Sequence, residues 1–158
     1  MKKRIFKISA IIFILVIITI IIVFNSATPG PKGQLLQFSY SFGSFNGGEW
    51  NYEIHEESGK LFITAKGYNG ILLELEKEVP DDTLDKIAVI IQENEIYKWN
   101  RFNGYDDSVL DGYSFSLNAV FEDGDIKAEA YEKYPKNYDE GHTALAAYLE
   151  ELAPAAER

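Results

Sequence analysis

The chain has 158 residues, no cysteine and a formal charge of −10. Without cysteine, disulfides, thiol nucleophiles, Cys-type zinc sites, haem attachment and lipid anchoring through a lipobox are all excluded. The acid excess repels nucleic acid and anionic lipid, and favours cationic partners or ions.

From Ile8 to Phe24 no side chain is charged, and Ile, Val, Leu and Phe fill nearly every position. As a helix this run spans roughly 25 Å at ~1.5 Å per residue, close to the ~27–30 Å hydrocarbon thickness of a bilayer. With Ile5 and Phe6 included and Lys7 snorkelling, it reaches about 20 residues. The apolar region of a secretory signal is shorter, about 7–15 residues. Cleavage after Ala27 is chemically poor, because Asn25 stands where a small residue is wanted. Residues 1–27 are therefore expected to be an uncleaved signal-anchor, with a cleaved signal peptide and a secreted domain as the alternative. Lys2, Lys3, Arg4 and Lys7 precede the run, and no charge follows it before Lys32. The positive-inside rule then puts the N-terminus in the cytoplasm and the rest outside a bacterial cell membrane, in a single pass. Beyond the anchor, 11 of the 15 Lys and Arg face all 25 Asp and Glu, a formal charge of −14.

Residues 28–33 (TPGPKG) read as a short spacer, too stiff and brief to hold the domain far from the membrane. The domain is expected over 34–153. Leu36, Phe38, Tyr40 and Phe42 alternate with polar residues, a strand with one buried face. After GSFNGG, Trp50, Tyr52 and Ile54 repeat the pattern and pair back as a hairpin. Residues 57–60 (ESGK) turn the chain into a third strand, 61–66. Asn69-Gly70 signals a tight hairpin into a fourth, 71–79, whose Glu74, Glu76 and Glu78 mark a solvent face. Pro80 ends the run, and Asp81 or Asp82 caps a helix whose Leu84, Ile87, Ala88 and Ile91 form one buried stripe. Residues 94–112 have no regular period and carry Tyr97, Trp99, Phe102, Tyr105, Asp106, Asp107 and Asp111; a functional loop would lie here. Alternation returns from Tyr113 to Phe121. A turn centred on Asp123-Gly124 would pair Phe121 with Ile126, Ala119 with Ala128 and Leu117 with Ala130. That register sets Glu122 opposite Asp125, a clash that opens the loop or invites a cation. Asp139 is placed to cap a last helix with Leu145, Tyr148, Leu149 and Leu152 as its stripe, ending before Pro154. Residues 154–158 are a frayed tail.

The expected fold is α+β: an N-terminal transmembrane helix, then one extracytoplasmic domain with an antiparallel sheet of about six strands and two helices, in the order ββββ-α-ββ-α. No internal repeat is visible.

Chemistry is sparse. His55 lies on the polar side of a strand and His142 about 60° around its helix from Leu145. Neither has a neighbour whose spacing implies a triad, and both read as surface histidines. Asp106, Asp107 and Asp111, with Asp123 and Asp125, supply calcium-type oxygens, but the D-x-[DN]-x-[DN]-G spacing is missing and no metal site is assigned. GSFNGG and KGYNG match neither a P-loop nor a dinucleotide fingerprint, so no cofactor is expected. Tyr97, Trp99, Phe102 and Tyr105 could form an aromatic recognition surface for a peptide or glycan, against a default of core packing.

The Trp99-Asn100 pair, the Asp111-Gly112-Tyr113 strand start, the Asp123-Gly124 turn and the stretch from Pro135 to His142 together resemble short, membrane-anchored bacterial proteins of uncharacterised function. The resemblance covers about the last third of the chain and implies no activity and no site residue. The residues themselves favour a non-enzymatic module that binds a protein, peptide or envelope component. An envelope hydrolase using Asp106, Asp107, Asp111 or His142 is one alternative. An acidic inhibitor or immunity-type protein that blocks a cationic partner is another.

Overall fold

A computed structural model describes residues 30–44, 46–68 and 72–154. The expected anchor over 1–27, the Asn69-Gly70 turn and the tail from Ala155 lie outside these residues. Among the described residues, no helix is long and apolar enough to cross a membrane.

The elements are β1 (Leu35–Ser44), β2 (Gly48–Glu57), β3 (Lys60–Tyr68), β4 (Leu72–Val79), α1 (Thr83–Glu93), a 3-10 turn (Ile96–Trp99), β5 (Phe102–Tyr105), β6 (Ser114–Phe121), β7 (Gly124–Tyr131) and α2 (Tyr138–Leu152). They form an α+β domain with one seven-stranded sheet in the order β4-β3-β2-β1-β6-β7-β5. Period-two alternation supplies its inner face: Phe38 and Tyr40 on β1, Tyr52 and Ile54 on β2, Ile63 and Ala65 on β3, Leu117 and Ala119 on β6 are all buried. Leu84, Ile87 and Ile91 of α1 and Leu145 and Leu149 of α2 close over this face. Each such large side chain withdrawn from water contributes about 1.5–3 kcal/mol. The outer face is polar, with Ser39 of β1 between Glu53 of β2 and Asn118 of β6. On β4 the glutamates point outward as expected: Lys60–Glu78 and Lys66–Glu74 are exposed ion pairs at 2.7 and 2.8 Å. Lys77 shares the inner side with Ile63 and is half-buried.

Four expectations need correction. The sheet is mixed, because β5 inside the irregular segment pairs parallel with β7, Phe102 opposite Ala128 and Tyr105 opposite Tyr131. A four-residue strand carries too little alternation to stand out. In β1 the register shifts between Leu35 and Gln37, so Leu35 is buried and Leu36 exposed. A bulge of this kind moves a side chain to the other face. The β6–β7 turn is centred on Glu122-Asp123, not Asp123-Gly124. Phe121 pairs with Gly124, Ala119 with Ile126 and Leu117 with Ala128, while Asp125 faces Val120. A two-residue displacement keeps every side chain on its face, so patterning could not separate the registers. Finally, both helices start without a side-chain cap. Asp82 instead pairs with Lys86 at 3.0 Å, and α2 begins after Asn137 in the left-handed region at φ 60° rather than at Asp139.

Candidate functional site

One end of the sheet gathers the C-terminal ends of β1, β3, β5 and β7, the N-terminal ends of β2 and β6, and the start of α2. Three features meet there.

The first is a nest around His142. Its Nδ1 lies 2.8 Å from the Tyr40 hydroxyl, and its ring stacks on Tyr138 at 5.3 Å and meets Phe42 edge-on at 4.8 Å. Tyr113 closes the cage at 6.1 Å. Burial, reinforced by the neighbouring Tyr138 and Tyr113 phenols, pushes the Tyr40 hydroxyl far above its usual range, and burial raises Tyr113 to about 12. Both phenols therefore stay protonated. The Tyr40 hydroxyl and His142 Nδ1 share one hydrogen bond, in which the imidazole tautomer sets the donor. Burial lowers the histidine pKa, with Asp139 opposing. The expectation of a surface histidine is thus corrected: at position five of α2, His142 turns partly inward beside Leu145 and fills an aromatic hollow. The Tyr40–His142 bond ties α2 to β1.

The second is the loop of residues 106–112. Asp106 accepts bonds from the Ser108 N–H (3.0 Å) and hydroxyl (2.6 Å), which lower its pKa. The Gly112 N–H donates to the Tyr131 hydroxyl at 2.7 Å, and that hydroxyl points its proton at the carbonyls of Val109 and Leu110. The Tyr113 N–H donates to the Glu132 carboxylate, and Tyr105 stacks on Tyr131 at 5.3 Å. Gly112 allows this closure, since a Cβ there would lie 2.3 Å from the Glu132 side chain. The loop is fastened at both ends, yet Leu110 at its tip is 87% exposed. Asp107 and Asp111 flank it and are exposed.

The third is an open groove of about 350 Å³ lined by Phe42, Glu49, Trp50, Lys66, Tyr68 and Ser114, among others. Trp50 lies across Gly67, where a Cβ would come within 1.8 Å of the indole. Sequence reasoning did not single out this groove. The signal was Gly67 inside a strand, which marks a close approach.

No protein-family model matches the chain, and no curated protein matches it.

The remaining candidates are dispersed. Trp99 is fully buried against Phe115 and Tyr138, its Nε1 donating to the Lys136 carbonyl at 3.2 Å. Tyr97 and Phe102 are half-buried and Tyr105 alone is well exposed, so these four rings do not form a recognition surface. His55 sits on the outer sheet face, stacked on Phe62 at 6.1 Å. Asp123 is taken up by the backbone N–H groups of Lys32 and Gly33, and Asp125 pairs with Lys127 at 2.7 Å. Among the described residues, no three or more His, Asp or Glu are grouped to hold a metal ion.

Proposed function

We propose that the chain is a non-enzymatic binding module, anchored by its N-terminal segment with the domain outside the cell, that grips a protein or peptide through the Leu110 loop and the adjoining groove. The observation that carries this reading is the exposure of Leu110 on a loop fastened by Tyr131 and Glu132. Leu110 with the exposed Val109 and Tyr105 gives this end of the sheet an apolar surface outside the core, and pre-ordering of the loop lowers the entropy cost of docking. The groove beside it adds Trp50 and Tyr68, the ring types that dominate binding hot spots. Support against the hydrolase reading comes from the engagement of His142 with Tyr40 and of Asp106 with Ser108, with no bond joining the two among the described residues. The resemblance to short anchored bacterial proteins fits the same location without adding an activity.

Quantitative capture of envelope proteins on the tethered chain tests this. Partners are expected to be lost with Leu110→Asp and retained with His55→Ala on the outer face. Turnover of any ester, peptide or glycoside by the purified chain would overturn it. The flanking Asp106, Asp107 and Asp111 favour one specialised form, an acidic inhibitor of a cationic partner. That form requires binding to weaken steeply with salt.

A further inference from the structure

We propose that residues 30–34 are a latch that sets the domain on the bilayer in one orientation, with the exposed side of α1 toward the lipid headgroups and the Leu110 loop away from them. The inference rests on the reading that the N-terminal apolar segment remains in the membrane.

The segment read as a short, stiff spacer is bound to the domain throughout its described part. The Pro31 carbonyl accepts a bond from Gln92 Nε2 at 3.0 Å. The Lys32 and Gly33 N–H groups both donate to the Asp123 carboxylate at 2.9 Å. The Gln34 N–H reaches Glu122 Oε2 at 3.1 Å, and the Glu122 N–H returns a bond to the Gln34 carbonyl at 3.0 Å. Gly30 presses on Tyr97 so closely that a Cβ would lie 2.6 Å from its side chain. The acidic β6–β7 turn, which looked like a clash or a cation site, is the acceptor half of this latch.

Reach then keeps the latched end of the domain close to the bilayer. Only residues 25–29 separate Phe24 from Gly30, at most ~20 Å even fully extended. The headgroup layer outside the hydrocarbon is itself about 5–8 Å deep. Beside the latch, Pro31, Ala88, Val89 and Tyr97, together with the polar Lys32, Gln92 and Glu93, line an open groove of about 510 Å³, with Val89 52% exposed. Short apolar side chains with a tyrosine suit the interfacial layer, where an aromatic ring with a polar tip is favoured. The opposite end of β1, where Phe42 meets His142, is seven residues away, about 23 Å at ~3.3 Å per residue. A domain latched at the near end therefore presents its loop and groove outward.

Because the chain has no cysteine, single labels can be placed cleanly in the full-length protein. Fluorophores at Val89→Cys and Leu110→Cys, reconstituted into phosphatidylcholine vesicles containing nitroxide-headgroup lipid, should differ several-fold in quenching, with Val89→Cys the more quenched. Asp123→Ala is expected to shrink that contrast. A flexible Gly/Ser stretch inserted after Ser26, which leaves the latch and the fold untouched, should shrink it too. Equal quenching of both labels in protein that floats with the vesicles overturns the orientation while leaving the anchor intact. Protein that fails to float overturns the anchor reading and the latch's role together.

Discussion

His142 and Tyr40 form a polar pair inside an aromatic cage, and each depends on the other for its hydrogen bond. Tyr40→Phe removes a methyl-sized polar group but strands Nδ1, so a loss of about 1–3 kcal/mol in urea unfolding is expected. The pair also sets a pH response. Burial holds the folded pKa of His142 below its ordinary 6.5, so the unfolded chain takes up the proton first as the pH falls. The contribution is complete above about pH 6.5 and is lost progressively below it. His142→Gln should flatten the difference in stability between pH 7 and pH 5 relative to wild type; an identical slope in both proteins would assign the effect to other groups. Tyr113 and Tyr138 stay neutral throughout this range, and Asp139 works against the shift. Asp123 follows the same sign at lower pH: bonds from Lys32 and Gly33 depress its pKa, so the latch weakens only as the carboxylate is protonated.

At the scale of elements, the parallel strand β5 hangs on Gly104. A Cβ at this position would lie 2.0 Å from the Lys133 carbonyl, a backbone atom that cannot step aside. Gly104→Ala is therefore expected to cost about 1–3 kcal/mol, and to release protection of the 102–105 amides in hydrogen exchange before the rest of the sheet. The same strand shows what the sequence could not carry. β1, β2, β3, β4 and β6 advertise themselves because one face of each is wet, and α1 because its apolar residues fall at helical spacing. β5 is defined by pairing with a strand more than twenty residues later, and its residues FNGY hold no local period. The β6–β7 register was ambiguous for a related reason: two alignments offset by two residues bury the same side chains. What separates them is the docking of Lys32, Gly33 and Gln34 onto the Glu122-Asp123 turn, a contact that spans some ninety residues of chain. The candidate site was legible only as a place. The irregular segment does contain the Leu110 loop, but of its aromatic residues Trp99 went to the core, Tyr97 and Phe102 pack against it and Tyr105 stays exposed, and the groove at Trp50 depends on β2, β3 and β6 being brought together.

For the whole molecule, charge and shape give opposing tendencies that a single partner can satisfy. The domain side of the chain carries −14, while the loop that projects from it ends in leucine. A partner with an apolar pocket rimmed by basic residues fits both. Leu110→Asp is then expected to weaken binding by about 2 kcal/mol, roughly 30-fold in Kd, through faster dissociation. Removing Asp107 and Asp111 together should act mainly on the association rate and its salt dependence, as rim charges do. Stopped-flow measurement at two ionic strengths separates these outcomes, and a salt-independent association rate would remove electrostatic steering.

The sheet also has two outer edges, and they are not equally defended. β5 offers only four residues, but β4 offers eight. A strand of that length is a template for a neighbouring copy. Lys77, half-buried on the inner side of β4 beside Ile63, is the kind of inward charge that makes such pairing unfavourable. Its role would then be protection from self-association. Lys77→Val should shift the purified protein toward oligomers and precipitate in a concentration series.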